Sequence, residues 1–173
     1  MDCWKRAKVI KVCPDSPQKP VRVLALQQGK TVLVPAPRMK EGLFYLLDPN
    51  KIPSHQFNYA TTQEGTRKFG QLLGLELTLK VDLVVVGSVV VSKEGARCGK
   101  GEGFAELEYG IMRLLQVIDA TTPVVSTVHS SQIVDDFPQT LLQEYDLPLD
   151  YIATQTHLLP CTHPIPKPTG IYW

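Results

Sequence analysis

The sequence predicts an α/β protein built on a mainly parallel sheet. Strand and helix patterns alternate over residues 82–154, in the order strand, helix, strand, helix, strand. Such alternation produces right-handed crossovers between parallel strands. The clearest strand is "VDLVVVGSVVV", a nearly continuous β-branched run that is typical of a strand buried on both faces. Because the chain has 173 residues, of which 43% are hydrophobic, we expect a single domain over residues 1–173.

The first 60 residues predict short strands joined by turns. After a basic start and a turn at "CPDSPQKP", the runs "VRVLAL" and "TVLVPAP" are rich in β-branched residues. The intervening "QQGK" predicts a hairpin turn between them. Residues 36–60 contain several prolines and predict an irregular loop.

Three helices are predicted in the rest of the chain. Thr61 and Thr62 can cap a helix that ends near Gly74. A short helix is expected from Asp136 and Pro138 to Tyr145. Between them, a longer amphipathic helix is indicated by apolar residues at spacings of three and four. The residues that form this apolar face are Leu107, Ile111, Leu114, Leu115 and Ile118.

Two further strands complete the predicted sheet. They are "TPVVSTV" and "LDYIAT", and a proline-rich tail follows them. Ligands of parallel α/β sheets bind beyond the carboxyl ends of the strands. The stretch "GARCGKGEGFAELEY" and the segment "VHSSQIVDD" both occupy that edge, which makes it the expected site.

The glycines of "GARCGKGEGFAELEY" indicate an anion-binding loop. Gly99, Gly101 and Gly103 alternate, a spacing that fits neither the G-x-G-x-x-G dinucleotide motif nor the Walker motif. The loop leaves a buried strand and enters a helix N-terminus, where free amides and the helix dipole attract negative charge. Arg97 and Lys100 add positive charge. The alternative is a tight turn that needs glycine only for positive φ.

Two acidic side chains and one histidine are further candidates for binding a metal or a substrate. Glu106, in the first helical turn, could hold Mg²⁺ together with phosphate oxygens, or could simply suit a helix N-terminus. His129 ends a strand at the ligand-bearing edge, and Asp135 follows six residues later. Both could contact a substrate, although a histidine at a strand end is more often structural.

Composition excludes several classes of protein. The net charge of +1 argues against a dedicated nucleic-acid surface. The longest apolar stretch, Leu83 to Val91, is too short to span a bilayer, and no signal-peptide core follows Met1. The four cysteines form no C-x-x-C pair, which suits a reducing compartment, so we expect a cytoplasmic protein.

The sequence resembles the 5-formyltetrahydrofolate cyclo-ligase family over nearly its whole length. Four blocks carry the resemblance in order: "KVIKVCPDSPQKPVRVLALQQGKTVLVPAPR", "VDLVVVGSVVVSKEGARCGKGEGFAELEY", "TPVVSTVHSSQIVD" and "DYIATQTHLLPCTHPIPKPTGIYW". The resemblance implies a three-layer α/β/α fold of the NagB/RpiA/CoA-transferase type. It also implies ATP and Mg²⁺ as cofactors and a reduced folate as substrate. Active members phosphorylate the formyl oxygen of 5-formyltetrahydrofolate, and N10 then displaces phosphate to give the methenyl product.

The resemblance also assigns roles to residues of the loop. Arg97 to Gly103 match the family's phosphate-binding loop, Phe104 stands where an aromatic residue lies, and Glu106 stands at an aspartate associated with metal and nucleotide. Well-characterised enzymes follow the loop with Tyr-Tyr-Asp-Arg, whereas this chain has Phe104, Ala105, Glu106 and Leu107. Catalytic residues are therefore not assigned, and catalytic competence is in question.

The resemblance further predicts that the chain lacks segments found in family members. We expect the N-terminal basic helix and first strand of the family to be absent, because the chain starts at "MDCWKRAKVIKV". Animal relatives also carry an RNA-recognition domain after this one, so RNA binding would require a domain outside this chain. The alternative hypothesis is a non-enzymatic interaction domain of an RNA-associated protein. A third is another small-molecule reaction at His129 and Asp135.

Overall fold

The computed structural model describes residues 1–162 and 165–172. Its strands are β1 (Val9–Val12), β2 (Thr31–Pro35), β3 (Phe44–Leu47), β4 (Gln71–Leu73), β5 (Leu83–Val86), β6 (Val90–Ser92), β7 (Arg97–Cys98), β8 (Val124–Thr127), β9 (Ile133–Val134), β10 (Tyr151–Ala153) and β11 (Leu158–Pro160). Its α-helices are α1 (Asp2–Arg6), α2 (Lys19–Gln27), α3 (Phe57–Ala60), α4 (Gln63–Phe69) and α5 (Phe104–Leu114). Short 3₁₀ turns lie at Ser16–Gln18, Pro37–Met39, Ser54–Gln56, Ser130–Gln132 and Gln139–Leu141.

Eight strands form one sheet in the order β11-β10-β8-β5-β1-β2-β3-β4. The five strands from β10 to β2 are parallel, and β11, β3 and β4 are antiparallel to their neighbours. A small second sheet has the order β7-β6-β9. The predicted fold class, a three-layer α/β/α protein with a mainly parallel sheet, is confirmed. Strand β1 lies inside the sheet, paired with β2 and β5.

Hydrophobic cores cover both faces of the large sheet. Successive residues of a strand point to opposite faces, so Val84 and Val86 pack in one core and Leu83 and Val85 in the other. Helix α5 closes the first core, and helices α2 and α3 close the second. Lys11 of β1 follows the same alternation: its neighbours Ile10 and Val12 face α2, so its own side chain faces α5.

Three predicted strands are confirmed and one is wrong. Strands β2, β8 and β10 lie within "TVLVPAP", "TPVVSTV" and "LDYIAT". In contrast, "VRVLAL" belongs to α2, whose buried residues Arg22, Ala25 and Leu26 have helical spacing. A proline in its first turn suits a helix start. The predicted hairpin at "QQGK" is therefore the end of a helix between two parallel strands.

Several predicted boundaries also differ from the structure. The run "VDLVVVGSVVV" divides into β5 and β6, which belong to different sheets. The predicted loop at residues 36–60 contains β3 and α3, and the predicted helix from Asp136 to Tyr145 is only a 3₁₀ turn. Helix α4 ends at Phe69, and Leu72 and Leu73 lie in β4 instead. The predicted absence of an N-terminal helix and first strand stays a prediction.

The predicted apolar face of α5 is wrong at two of its five residues, whereas Ile118 is buried and Leu115 packs against the core. Leu107 and Leu114 are 37% and 59% exposed, whereas Glu108, Tyr109, Gly110 and Met112 are buried. Glu108 is not part of the predicted apolar face, yet its side chain turns inward to pair with Lys11. Gly110 is also required on this face, because a Cβ there would lie 2.7 Å from the carbonyl oxygen of Gly170.

Thr62 caps α4 as the sequence predicts, and its loss should be measurable. Its Oγ1 accepts a hydrogen bond from the amide of Gly65 at 3.1 Å and donates to the carbonyl of Tyr59 at 2.6 Å. We expect Thr62→Ala to lower the free energy of unfolding by about 1 kcal/mol, since capping side chains contribute that much. Urea denaturation measures the change. Thr62→Ser keeps the hydroxyl, so it should be nearly as stable as the parent. If the methyl group of Thr62 mattered instead, Thr62→Ser would be as destabilised as Thr62→Ala.

None of the helices in residues 1–162 and 165–172 is long and apolar enough to cross a membrane.

Candidate functional site

A cavity of about 680 Å³ lies at the carboxyl ends of the parallel strands. The segments that follow three adjacent strands contribute to it: Asp15 after β1, Arg38 after β2 and Gly87 after β5. The glycine loop and the first turns of α5 form another wall. The edge of the sheet predicted from the sequence is therefore where the cavity opens.

Glycines give the loop its shape and keep it open. Gly101 and Gly103 have φ of 82° and 70°, values that favour glycine, and a Cβ on either would meet no atom within 4 Å. A Cβ on Gly99 would lie 2.8 Å from the guanidinium of Arg97. Two residues of the loop, Gly101 and Gly103, therefore have a left-handed conformation, with open space at their Cβ positions.

Helix α5 begins at this loop with free amides. Gly103 is its N-cap residue, and no side chain caps the helix. The first helical hydrogen bond runs from the amide of Leu107 to the carbonyl of Gly103 at 3.0 Å. The amides of Phe104, Ala105 and Glu106 thus have no partner within the helix, and all three residues line the cavity. This arrangement attracts anions, since the positive end of the helix dipole lies there.

Both cations of the loop are paired with carboxylates. Arg97 Nη1 lies 2.5 Å from Glu106 Oε1, and its Nε donates to the carbonyl of Gly87 at 3.1 Å. Lys100 Nζ lies 2.5 Å from Asp15 Oδ1 and thereby connects the loop to the segment after β1. The Asp15 carboxylate raises the pKa of Lys100. The Arg97 pair is largely buried, while the Lys100 side chain is 65% exposed and can change partner.

A third ion pair lies beneath the cavity. Lys11 Nζ is 2.5 Å from Glu108 Oε2, and the Lys11 side chain is fully buried. Among the described residues, no other group accepts a hydrogen bond from this ammonium. Glu108 is 7% exposed at its side chain and lines the cavity, so the pair reaches from the centre of the sheet to the cavity wall.

The structure brings most of the predicted site residues together. All of the residues assigned to nucleotide and metal line the cavity, namely Arg97, Gly99, Lys100, Gly101, Gly103, Phe104 and Glu106. His129 and Asp135 are not among the lining residues. His129 Nδ1 accepts a hydrogen bond from the amide of Ser131 and caps a 3₁₀ turn. Asp135 pairs with Lys93 at 3.0 Å on the surface.

Three charged residues that line the cavity were not predicted as site residues from the sequence. Asp15 lies in a proline-rich segment that predicted only a turn, and Glu108 was assigned no role in the site. Arg38 is exposed, makes no ion pair with a described residue, and has a left-handed φ of 52°. Non-glycine residues in this conformation cluster at ligand sites. Of these three residues, only Asp15 has a signal in the sequence that could have indicated a site residue: it lies shortly after a buried strand.

The carboxylates at the cavity suit a metal that is bound mainly through phosphate. No group of three or more His, Cys, Asp or Glu side chains within the described ranges could hold a metal alone. Asp15 and Glu106 each use one oxygen in an ion pair and retain the other. Mg²⁺ needs only one or two carboxylates when phosphate oxygens and water complete its shell, so this donor set fits it.

Known proteins share sequence similarity with most of this chain. Residues 1–155 match the model of the 5-formyltetrahydrofolate cyclo-ligase family. The chain belongs to this family. It is also similar to proteins called methenyltetrahydrofolate synthase domain-containing protein. The cattle protein is 44% identical over 100% of the chain, the mouse protein 45% over 96%, and the human protein 43% over 100%.

The chain spans less than half of these relatives. It covers 46% of the cattle protein and 45% of the mouse and human proteins. The part matched by the family model includes strands β1 to β10, the glycine loop and α5, which supply most of the cavity. Membership of the cyclo-ligase family therefore applies to the part of the chain that carries the candidate site.

Cysteine reactivity offers a probe of this cyclo-ligase-like cavity. Cys98 lies in the glycine loop and is exposed, whereas burial raises the pKa of Cys13 and raises that of Cys161 to about 12. The thiolate is the reactive form, so a raised pKa slows alkylation below that pKa. We expect iodoacetamide to modify Cys98 well before Cys13 and Cys161 at about pH 8. Mass spectrometry of tryptic peptides measures the order, and equal rates would contradict the burial described.

Proposed function

We propose that this chain binds a magnesium nucleoside triphosphate at the Gly99–Gly103 loop and a reduced folate in the same cavity. The observation that carries the proposal is the start of α5. Three amides without helical partners line a large cavity, beside a loop with two left-handed glycines. Family membership supports ATP as the nucleotide and 5-formyltetrahydrofolate as the second ligand.

Different groups of the loop would bind the phosphates in different ways. The amides at the start of α5 donate to phosphate oxygens, and the open space before Gly101 and Gly103 lets those oxygens approach. Lys100 can turn from Asp15 to a phosphate, because its side chain is mostly exposed. Arg97 is less free, since it is buried between Glu106 and the carbonyl of Gly87, and it fixes the position of the Glu106 carboxylate.

Mg²⁺ would be held by Glu106 and Asp15 together with phosphate oxygens. When bound, the ion offsets negative charge on the phosphates during transfer. Release of Lys100 to a phosphate frees Asp15 Oδ1, so that the carboxylate gains an oxygen for the metal in the same rearrangement. Glu106 keeps its Arg97 partner and offers its second oxygen.

The second ligand has room and suitable walls. A cavity of about 680 Å³ falls within the range of small-molecule sites. Apolar and aromatic side chains form part of the cavity wall, and aromatic ones suit a flat heterocycle. The residues of this part of the wall are Phe137, Leu141, Leu142, Tyr145 and Tyr172. Among the described contacts, none favours the alternative of a non-enzymatic interaction domain.

Binding and turnover can be measured in one sample. The purified chain is mixed with 5-formyltetrahydrofolate, and equilibrium dialysis is carried out with and without the magnesium complex of a non-hydrolysable ATP analogue. We expect saturable folate binding in both cases. Mg-ATP is then supplied and absorbance of the methenyl product is followed. A rising trace extends the proposal to catalysis, and a flat trace with both ligands bound restricts it to binding. Absence of folate binding by folded protein would contradict the folate part.

A further inference from the structure

The Lys11–Glu108 pair has features that a purely structural pair does not need. Lys11 lies on the central strand β1 with its side chain fully buried, 2.5 Å from Glu108 Oε2. Replacing a buried ion pair with apolar residues is often neutral or stabilising, so stability alone does not explain two charges here. The ammonium also has donors that no other described group accepts.

Glu108 is a cavity residue as well as the partner of Lys11. It is a lining residue, its side chain keeps 7% of its surface, and Lys11 is its described partner. It follows the N-cap residue Gly103 by five positions, which is about 7.5 Å along the helix axis. Glu108 therefore lies about one turn or less beyond the amides proposed to hold phosphate, at a depth where little water reaches.

Charge decides which ligand group can lie against Glu108. A phosphate would be repelled by the carboxylate, and the Lys11 charge is already matched by it. An ionised carboxylate only accepts hydrogen bonds, so it recognises N–H donors. The reduced pterin of a folate offers such an edge, with N3–H beside the 2-amino group. A carboxylate can accept both hydrogen bonds at once, as it does from the parallel N–H groups of arginine.

We infer that Glu108 recognises the N3–H and 2-amino edge of the reduced pterin, and that Lys11 is a positioning residue that holds this carboxylate from beneath. The inference rests on the proposed function, because it takes a reduced folate as the ligand. It adds the orientation of that ligand: the aminopyrimidinone ring points toward the centre of the sheet. The formyl group is then left on the side of the cavity that faces the glycine loop.

The first test uses the unmodified chain. Its affinity is measured by equilibrium dialysis for 5-formyltetrahydrofolate and for the 2-desamino-2-methyl analogue, which lacks the amino donor. We expect the analogue to bind at least about thirtyfold more weakly, because it leaves the buried carboxylate without one of its donors. Equal affinities would overturn the inference while leaving the proposed function intact. Lack of binding by either compound would contradict the proposed folate site and the inference together.

The second test uses the double variant Lys11→Met/Glu108→Gln. It removes both charges together, so that neither is left buried alone, and it keeps the shape of the Glu108 side chain. We expect at least tenfold weaker binding of 5-formyltetrahydrofolate, unchanged binding of Mg-ATP, and loss of discrimination against the analogue. A folded double variant that still discriminates would overturn the inference. If the double variant does not fold, the ligand comparison on the unmodified chain decides the question.

Discussion

Lys11→Met is expected to lower the free energy of unfolding by about 3–5 kcal/mol, since it leaves the Glu108 carboxylate buried without its partner. Lys11 lies in the middle of the large sheet and is completely buried, so water cannot take its place beside the Glu108 carboxylate. The loss would be a large fraction of the stability of an ordinary domain. Urea denaturation followed by circular dichroism measures it.

Two controls make this prediction specific. Lys100→Met removes the lysine of an ion pair with the same 2.5 Å separation, but that side chain is 65% exposed, and we expect a change below about 1 kcal/mol. The double variant Lys11→Met/Glu108→Leu should recover most of the loss, because it leaves no buried charge. A Lys11→Met variant as stable as the parent would contradict the buried pair described here.

Gly101→Val is expected to weaken Mg-ATP binding about a hundredfold. Valine at a φ of 82° would strain the loop and fill the open space in front of it, where phosphate oxygens are proposed to lie. Loss of two amide hydrogen bonds to phosphate, at about 1.5 kcal/mol each, corresponds to that factor. Isothermal titration calorimetry measures the affinity.

The chain provides a matched control for this substitution. Gly29 has a φ of 73° and open space around its Cβ position, but it lies between α2 and β2, away from the lining of the cavity. Gly29→Val should introduce similar backbone strain and lower the free energy of unfolding by about 1–3 kcal/mol. It should leave the affinity for Mg-ATP unchanged. If both variants bind as the parent does, the loop does not hold the nucleotide.

The parallel sheet and the glycine loop could be predicted because their signals are local. A β-branched run such as Leu83–Val86 has few alternatives to a buried strand, and its carboxyl end fixes where the loop must lie. Alternate glycines before an amphipathic helix likewise indicate positive φ and an open helix N-terminus. Both features are seen at Gly101 and Gly103.

The errors arose where tertiary contacts override local pattern. The "VRVLAL" run has strand-like composition, yet it packs on the sheet as α2 through Ala25 and Leu26. The predicted apolar face of α5 was wrong at Leu107 and Leu114, because a charged residue, Glu108, is buried against a lysine 97 positions earlier in the chain. The spacing of apolar residues along a helix cannot predict such a contact. The position of Asp15 opposite Lys100, 85 residues apart, is equally a product of the fold.

The most direct test of the central claim is calorimetric titration of the unmodified chain with Mg-ATP. A cavity with free amides at the start of α5 and an exposed Lys100 predicts saturable binding at one site. In parallel, bound Mg-ATP should protect Cys98, in the same loop, from alkylation. Cooperative unfolding of the same sample shows that the protein is folded. If such protein gives no saturable heat of binding and Mg-ATP does not protect Cys98, the proposed nucleotide site is contradicted.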